Sequence, residues 1–560
     1  MANQSFVRTK MLGEKKPPAS QVGIISWVRA NLFSSIPNVI MSLLAFWAIY
    51  TVLSYILPWV FMSSWSAESL KGCRASIIKE YANADNLTPT GACWAVIRER
   101  WPQLLFGFYP KELYWRPVLA MVLLLVALSP ILFSTVSRKV LYFSVAYPFF
   151  GGFWLLWGGT IWVPLAGIAG FVIAYLAIAL LPKWVGSLTA TILAGVLPLI
   201  WWTVLAGPTI GMLNSVSAGL LHDRYISSFE QSVESIETEM AAEEDELKVE
   251  SLNRKLKTAT KRLNTANSMG EREDNIAALE IEADELRGFL SSSVKGVKDL
   301  ADVDDGVSDA DIAALKEALS VENKLLTAQQ QLAAVHKEVG RIGPQSISSD
   351  QMGGFLLSIT LGVSGIALSL PIGILLALGR QSSLFVVKTV CVTFIEFIRG
   401  VPLITLLFVA SVLMSYFLPP GNNFDLVLRV LIMVTLFSAA YMAEVVRGGL
   451  AALPTGQYEA ADSLGLNYWK STRLIILPQA LKISIPNIVS SFIGLFKDTT
   501  LVSIVGLLDP IGLSGNILAD QNWNGIIWEL FAFIAVMFWI FTFSMSRYSM
   551  YLERKLQVGH

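Results

Sequence analysis

Apolar residues in this chain lie in long unbroken runs rather than on the single stripe of a soluble helix. A run of about 18 or more residues with few charges is long enough to cross a bilayer as a helix. The pattern predicts ten spans. Five precede a long polar segment, at 37–61, 116–135, 140–158, 161–181 and 187–207. Five follow it, at 353–379, 388–416, 426–447, 485–508 and 526–546. Pro371 and Pro402 fall inside two of the later spans, and membrane helices tolerate proline where neighbours satisfy the freed carbonyls. The fold class that follows is an all-α integral membrane protein.

The polar segment has a different character. From Asp223 to Arg341 it is charged, with an acidic excess and almost no aromatics. Leu252, Leu256, Ala259, Leu263 and Ala266 follow the alternating four-and-three spacing of a coiled-coil seam, and Ile276, Leu279, Ala283, Leu286 and Leu290 repeat it. Ile312, Leu315, Leu319 and Leu326 sit at compatible spacings. Gly270 and the run Asp302-Val303-Asp304-Asp305-Gly306 read as breaks, with Ser308 capping a third helix. Three helices folded back on one another are expected.

Orientation follows from basic residues in short loops. The lead with Arg8, Lys10, Lys15, Lys16 and Arg29 places the N-terminus inside, and without a small-residue cleavage site the first run reads as a permanent anchor. Arg138, Lys139, Lys183, Arg380, Lys388, the loop from Arg447 to Lys482 and the tail with Arg547, Arg554 and Lys555 then all fall inside. Both termini are therefore expected in the cytoplasm, with loop 62–115 and segment 210–350 outside. Cys73 and Cys93 share that first outer loop, where a disulfide is open to them, while Cys391 lies in an apolar run.

Composition adds exclusions. With 54% hydrophobic and 15% charged residues, the chain is no ordinary soluble protein, and a net charge of -1 with no basic stripe gives no sign of nucleic-acid binding. It has no Gly-x4-Gly-Lys-Ser/Thr loop to cradle ATP, and no nucleophile elbow or other catalytic constellation. His222, His336 and His560 are scattered, and no metal-ligand spacing occurs.

The loop after the eighth span carries the most specific signal. Glu459-Ala460-Ala461 is followed after three residues by Gly465, then after nine by Ile475, Leu477 and Pro478. This reads as a helix–turn–helix: Pro454 and Thr455 open the first helix, and Gly465 suits the left-handed residue after its end. Asn467 caps the second helix, and Pro478 limits it. A small-faced helix protruding from a membrane bundle suits docking into a groove of another protein.

This pattern resembles the signature loop of ABC importer permeases. The stretches Phe397–Leu403, Tyr441–Gly449 and Phe496–Val502 are similar to polar amino-acid permeases. Gly456–Ala461 and Leu477–Lys482 resemble the M-type permease of general L-amino-acid importers. The likeness covers about 350–555, and Phe149–Gly159 extends it to the first three spans. Between Thr160 and Gln351 the chain departs from the family, with two further spans and the coiled-coil segment inserted as a unit that preserves orientation downstream.

The resemblance implies a five-helix type I permease core at 351–548 with a coupling loop at 450–482. It also implies a cytoplasmic N-terminus at 1–36, membrane helices over 37–209 and a cytoplasmic tail at 549–560. Such a subunit is not an enzyme and holds no cofactor. It sits in the bacterial inner membrane and passes amino acids delivered by a periplasmic binding protein. Its partners would be a dimer of ABC ATPase subunits, which carry ATP and Mg, and a second, different permease chain.

Charges at membrane depth usually face a cavity or a partner. Glu396 with Arg399, and Glu444 with Arg447, are spaced to pair along one turn, while Lys497 and Asp498 interrupt the ninth span. Glu396, Arg399, Lys497, Asp498, Thr499 and Thr500 are candidates for the substrate path, by contact or by gating; the alternative is that charges lock helices and threonines bond their own helix. Two other classes stay open on these features alone, a secondary amino-acid transporter and a coiled-coil membrane sensor or scaffold. The first needs no protruding loop, and the second needs an output domain that the short tail does not supply.

Overall fold

The computed structural model describes residues 24–82, 90–133, 135–242, 246–293, 309–416 and 425–557. Arg8, Lys10, Lys15, Lys16, the Asp302–Gly306 break, Ser308 and His560 lie outside the described residues, as do the side chains of Leu286, Leu290, Ile312 and Leu315. Among the described residues, nine helices are long and apolar enough to cross a membrane, and one bent pair makes a tenth crossing.

After a short helix α1 (Ile24–Asn31), the first span is α2 (Ile36–Phe61), opened by the Ser35 side chain, which accepts from the Asn38 amide. The loop that follows is folded: it holds α3 (Leu70–Tyr81) and α4 (Ala95–Phe106). Next come α5 (Trp115–Leu132) and α6 (Val140–Tyr147), the latter extended through a π-turn at Pro148–Trp154. Helix α7 (Trp162–Leu180) pairs with α8 (Ser187–Ile200), which passes through a second π-turn at Trp201–Leu205 into α9 (Ala206–Ala242). The fifth span therefore does not stop near 207. Polarity ends a membrane span, but backbone hydrogen bonding continues into water wherever the sequence still favours helix.

Helix α9 leads into α10 (Glu246–Asn267), α11 (Met269–Ser293) and α12 (Asp309–Val339), so the segment has one helix more than the sequence pattern predicts. The break before α11 falls at Ser268, and Gly270 lies inside the first turn of α11. Arg272 reaches Gln331, Glu273 reaches His336 and Glu280 reaches Gln329, so α11 and α12 run antiparallel. Leu252, Ala259, Ala266, Ile276 and Ala283 are buried, whereas Leu326 is exposed and Val321 takes the inward position instead. Ala218, Ala266, Met269, Val335 and Val339 form a small core where the segment meets the membrane helices.

The chain then returns along an extended strap. Ile161 N donates to Ile342 O at 2.9 Å, Gly159 N to Pro344 O at 2.9 Å and Ile347 N to Trp157 O at 2.8 Å. Fully buried Arg116 donates to Leu155 O and Gln345 O, each at 2.8 Å, pinning the strap from below. A Cβ on Gly158 would lie 2.0 Å from Gln345 O, so this crossing requires glycine.

The C-terminal bundle consists of α13 (Gly354–Arg380), α14 (Phe385–Gly400), α15 (Leu403–Ser411), α16 (Leu426–Ala451), α17 (Thr455–Ser463), α18 (Leu477–Asp498), α19 (Pro510–Leu518) and α20 (Ile527–Gln557). Helices α13 and α16 run parallel and close, Gly365 facing Val434 and Gly373 facing Met442. Helix α18 is antiparallel to them: a Cβ on Gly449 would meet Ser484 Oγ at 2.0 Å, and Ser484 donates to Val445 O at 3.2 Å. Because α13 and α16 run the same way, α14 and α15 share the one crossing between them, bent by 100° at Val401-Pro402. The seventh span is thus broken rather than straight, as the missing amide and fixed φ of proline favour.

One end of this bundle is capped. Cys73, Ile77, Cys93, Val96 and Leu104 pack with Ile517, Trp523, Ile526 and Leu530, joining α3 and α4 to the α19–α20 turn. The Cys73 and Cys93 sulfurs form a disulfide across a Cα–Cα distance of 5.9 Å. The Cys93 amide donates to Glu529 at 3.0 Å, and Arg100 pairs with Asp520.

Candidate functional site

At the end opposite the cap, α16, α17 and α18 form the hairpin predicted from the loop motif. Pro454 stands at the start of α17, and the helix closes with a pair of bonds, Leu466 N to Ala461 O at 3.3 Å and Gly465 N to Asp462 O at 2.9 Å. This reversal demands a left-handed residue, and Gly465 supplies it at φ +68°. The Asn467 side chain then accepts from Lys470 N at 3.0 Å and starts the next helix.

That helix does not end at Pro478. Between Thr472 and Ile476 it widens into a π-turn, so that Leu477 N bonds Thr472 O, and α18 continues through the proline to Asp498. A proline removes one donor from the ladder, and the widened turn re-registers the carbonyls around it.

The hairpin is braced inside and bare outside. Ala461 is buried, and Ile476 and Ala480 pack with Val446, Leu450 and Leu453. Gln479 donates to Gln457 and to Ile475 O, each at 3.0 Å, tying α17 to α18. Ile475 and Leu477 are half-buried, and Glu459, Ala460, Gly465 and Pro478 are exposed. Leu464, Trp469 and Leu474 are 73%, 68% and 65% exposed, a concentration of bare apolar side chains beside Glu459 and Asp462 that fits a protein-docking surface.

A charged cluster lies behind the hairpin. Arg380, the last residue of α13, forks between Glu396 at 2.9 Å and Glu444 at 2.6 Å. The second Glu444 oxygen takes Arg447 at 3.0 Å and Arg399 at 3.9 Å, and Arg399 stacks 5.5 Å over the Tyr441 ring. Glu444 and Arg447 pair along their helix as their spacing predicts, but Glu396 and Arg399 do not pair with each other. A planar guanidinium can serve two carboxylates at once, and Arg380 displaces the local partner. From the sequence Arg380 is legible only as a topology marker: Glu396 lies eleven residues into α14, about 16 Å along that helix, so no local spacing pairs the two.

The other path candidates lie elsewhere. Thr499 is buried and donates to Phe496 O at 2.7 Å, and Thr500 donates to Lys497 O at 2.9 Å, so both hydroxyls serve their own helix. Lys497 is exposed and Asp498 half-buried, at the capped end of α18. Thr499 neighbours Gly362 of α13, about 27 Å along that helix from Arg380. The six residues therefore form two groups near opposite ends of the bundle, not one site.

The profile of the binding-protein-dependent transport system inner membrane component family matches residues 369–558. The chain is 43% identical over 561 residues to the glutamate/glutamine/aspartate/asparagine transport system permease protein BztC of Rhodobacter capsulatus, covering 100% of both chains. It is 52% identical over 215 residues to the inner membrane amino-acid ABC transporter permease protein YhdY of Escherichia coli, covering 38% of this chain and 59% of that relative. A crystal structure of an amino acid ABC transporter with histidines aligns at 28% identity and a TM-score of 0.32, over 36% of this chain and 91% of that one. Because the match to BztC covers both chains from end to end, the stretch between Thr160 and Gln351 has an aligned counterpart in that relative. The chain belongs to the permeases of amino-acid ABC importers, the inner membrane components of binding-protein-dependent transport.

Proposed function

We propose that this permease subunit imports acidic amino acids and their amides, driven through the α17 hairpin by a separate ATPase dimer that carries ATP and Mg. The observation that carries the drive is the hairpin itself: closed by Gly465, braced by Gln479 and bare at Leu464, Trp469 and Leu474. The substrate class is supported by the full-length relative, whose described substrates are glutamate, glutamine, aspartate and asparagine.

In this reading the hairpin end is cytoplasmic, because Arg380, Arg447, Lys470, Arg473 and Lys482 gather there. The capped end faces the periplasmic binding protein, and a second, different permease chain completes the path. Glu396 and Arg399 act as a gate. Through Arg380 and Glu444 they join α13, α14 and α16, so a push on α17 moves three helix ends together. Lys497 and Asp498 meet the substrate carboxylate and ammonium near the capped end.

Gly465→Arg tests the coupling. A side chain at this left-handed position strains the turn and obstructs docking, so the assembly should insert and hydrolyse ATP in proteoliposomes yet lose uptake. Normal uptake would remove the hairpin from the drive. Competition of labelled glutamate uptake by glutamine, aspartate and asparagine, but not by arginine or leucine, checks the substrate class.

A further inference from the structure

Helix α2 stands apart from the rest of the protein. Almost none of its apolar length is buried, and it is tethered near its end, where Ala92 N donates to Trp59 O at 2.7 Å and Trp94 Nε1 to Val60 O at 3.2 Å. Between this end, α4 and the start of α20 lies an open groove with a volume of about 1600 Å³. That exceeds the ~300–1,000 Å³ typical of small-ligand pockets. Its walls are aromatic, including Trp59, Trp94, Trp101, Trp528 and Phe531. Indole rings at the end of membrane helices mark the headgroup level of a bilayer.

Among the described residues, one charged side chain lines the groove, Arg98. Its neighbours are spoken for: Glu99 accepts from Trp523 Nε1 at 3.0 Å, and Asp520 pairs with Arg100. Arg98 is exposed and forms no ion pair with the described residues.

We propose that this groove holds a phospholipid, its phosphate on Arg98 and its acyl chains between α2 and α20. A guanidinium beside an apolar slot matches an anionic headgroup joined to hydrocarbon. The walls argue against a transmembrane helix of a partner as occupant. Helices in membranes associate through small residues that let backbones approach, and here bulky rings hold the elements apart. An amino-acid substrate is a poor match as well, because among the described residues the groove presents a cation with no carboxylate for an ammonium.

The test uses the full-length permease, purified in mild detergent after reconstitution with phosphatidylglycerol or phosphatidylcholine, with retained lipid counted by native mass spectrometry. Wild type should retain lipid, with phosphatidylglycerol preferred. Arg98→Glu should lower phosphatidylglycerol retention at least about fivefold, since it removes one basic contact and adds a like charge beside the phosphate, and Arg98→Lys should largely preserve it. A photo-crosslinker at Phe531 should capture lipid acyl chains. Lipid retention unchanged in Arg98→Glu, no retained lipid in wild type, or crosslinking of Phe531 to a second permease chain would each overturn the proposal.

Discussion

Glu444 carries more of the hairpin end than either glutamate does in the sequence pattern. Its carboxylate holds Arg380 and Arg447, and its side chain is only 17% exposed. Glu444→Gln leaves three guanidiniums crowded around a neutral amide, and the loss of charge-assisted bonds should cost about 1.5–3 kcal/mol, read as a lowered Tm of the purified subunit. Glu396 is 54% exposed, so Glu396→Gln should cost less than about 1 kcal/mol. A change in uptake kinetics in that variant therefore reports on the gate and not on folding; unchanged kinetics for every amino acid would withdraw Glu396. Asp509 lies outside the membrane spans, fully buried at the start of α19. One carboxylate oxygen accepts from Gly512 N at 2.8 Å and the other has no partner. Burial pushes its pKa up to about 6 from 3.8. The folded state therefore favours the protonated acid: its stabilisation is full below the unfolded value and is lost as pH rises through the folded one. Thermal stability should fall between about pH 4 and pH 6. Asp509→Asn, which keeps the cap, should flatten that dependence, and an unchanged slope would assign it to other groups.

At the scale of elements, the hairpin was readable because its chemistry is local. A left-handed glycine, a capping asparagine and a buried alanine specify their turn without distant contacts. Asn467→Ala should cost about 1 kcal/mol, confined to the second helix of the hairpin, and hydrogen exchange of Lys470 and its neighbours measures it. Gly449→Val acts differently. Its side chain would collide with Ser484 Oγ and the Ala480 carbonyl, forcing α16 from α18, so uptake should fall even though Gly449 lies outside the motif. Element ends were the less legible part. Pro478 looks like a stop, yet a π-turn absorbs it. The fifth apolar run suggests an end near 207, yet the helix continues through α9. In both cases the pattern of side chains was informative and the backbone bonding was not encoded in it.

At the scale of the molecule, the helical segment is tied to the membrane helices where its chain returns. The strap at Ile342 and Pro344 belongs to the bundle, since their carbonyls accept from Ile161 and Gly159. A deletion that tests the segment should therefore stop before it. Removal of residues 228–339 with a flexible linker should leave the bundle inserted and uptake normal at saturating binding protein. If the segment guides that protein, uptake should drop when binding protein is limiting. Undiminished uptake there would remove the docking role.

The membrane-length apolar runs and the turn of the α17 hairpin were determined by the sequence alone. Both rest on short-range rules: the bilayer core demands about 20 apolar residues per helix, and glycine alone enters left-handed turns without strain. The tertiary structure decided the rest. Cys93 bonds a glutamate 436 residues away, Arg100 an aspartate 420 away, and Arg380 gathers charges from α14 and α16. Such contacts depend on which helices lie side by side and how much water they exclude, and no local pattern carries that information.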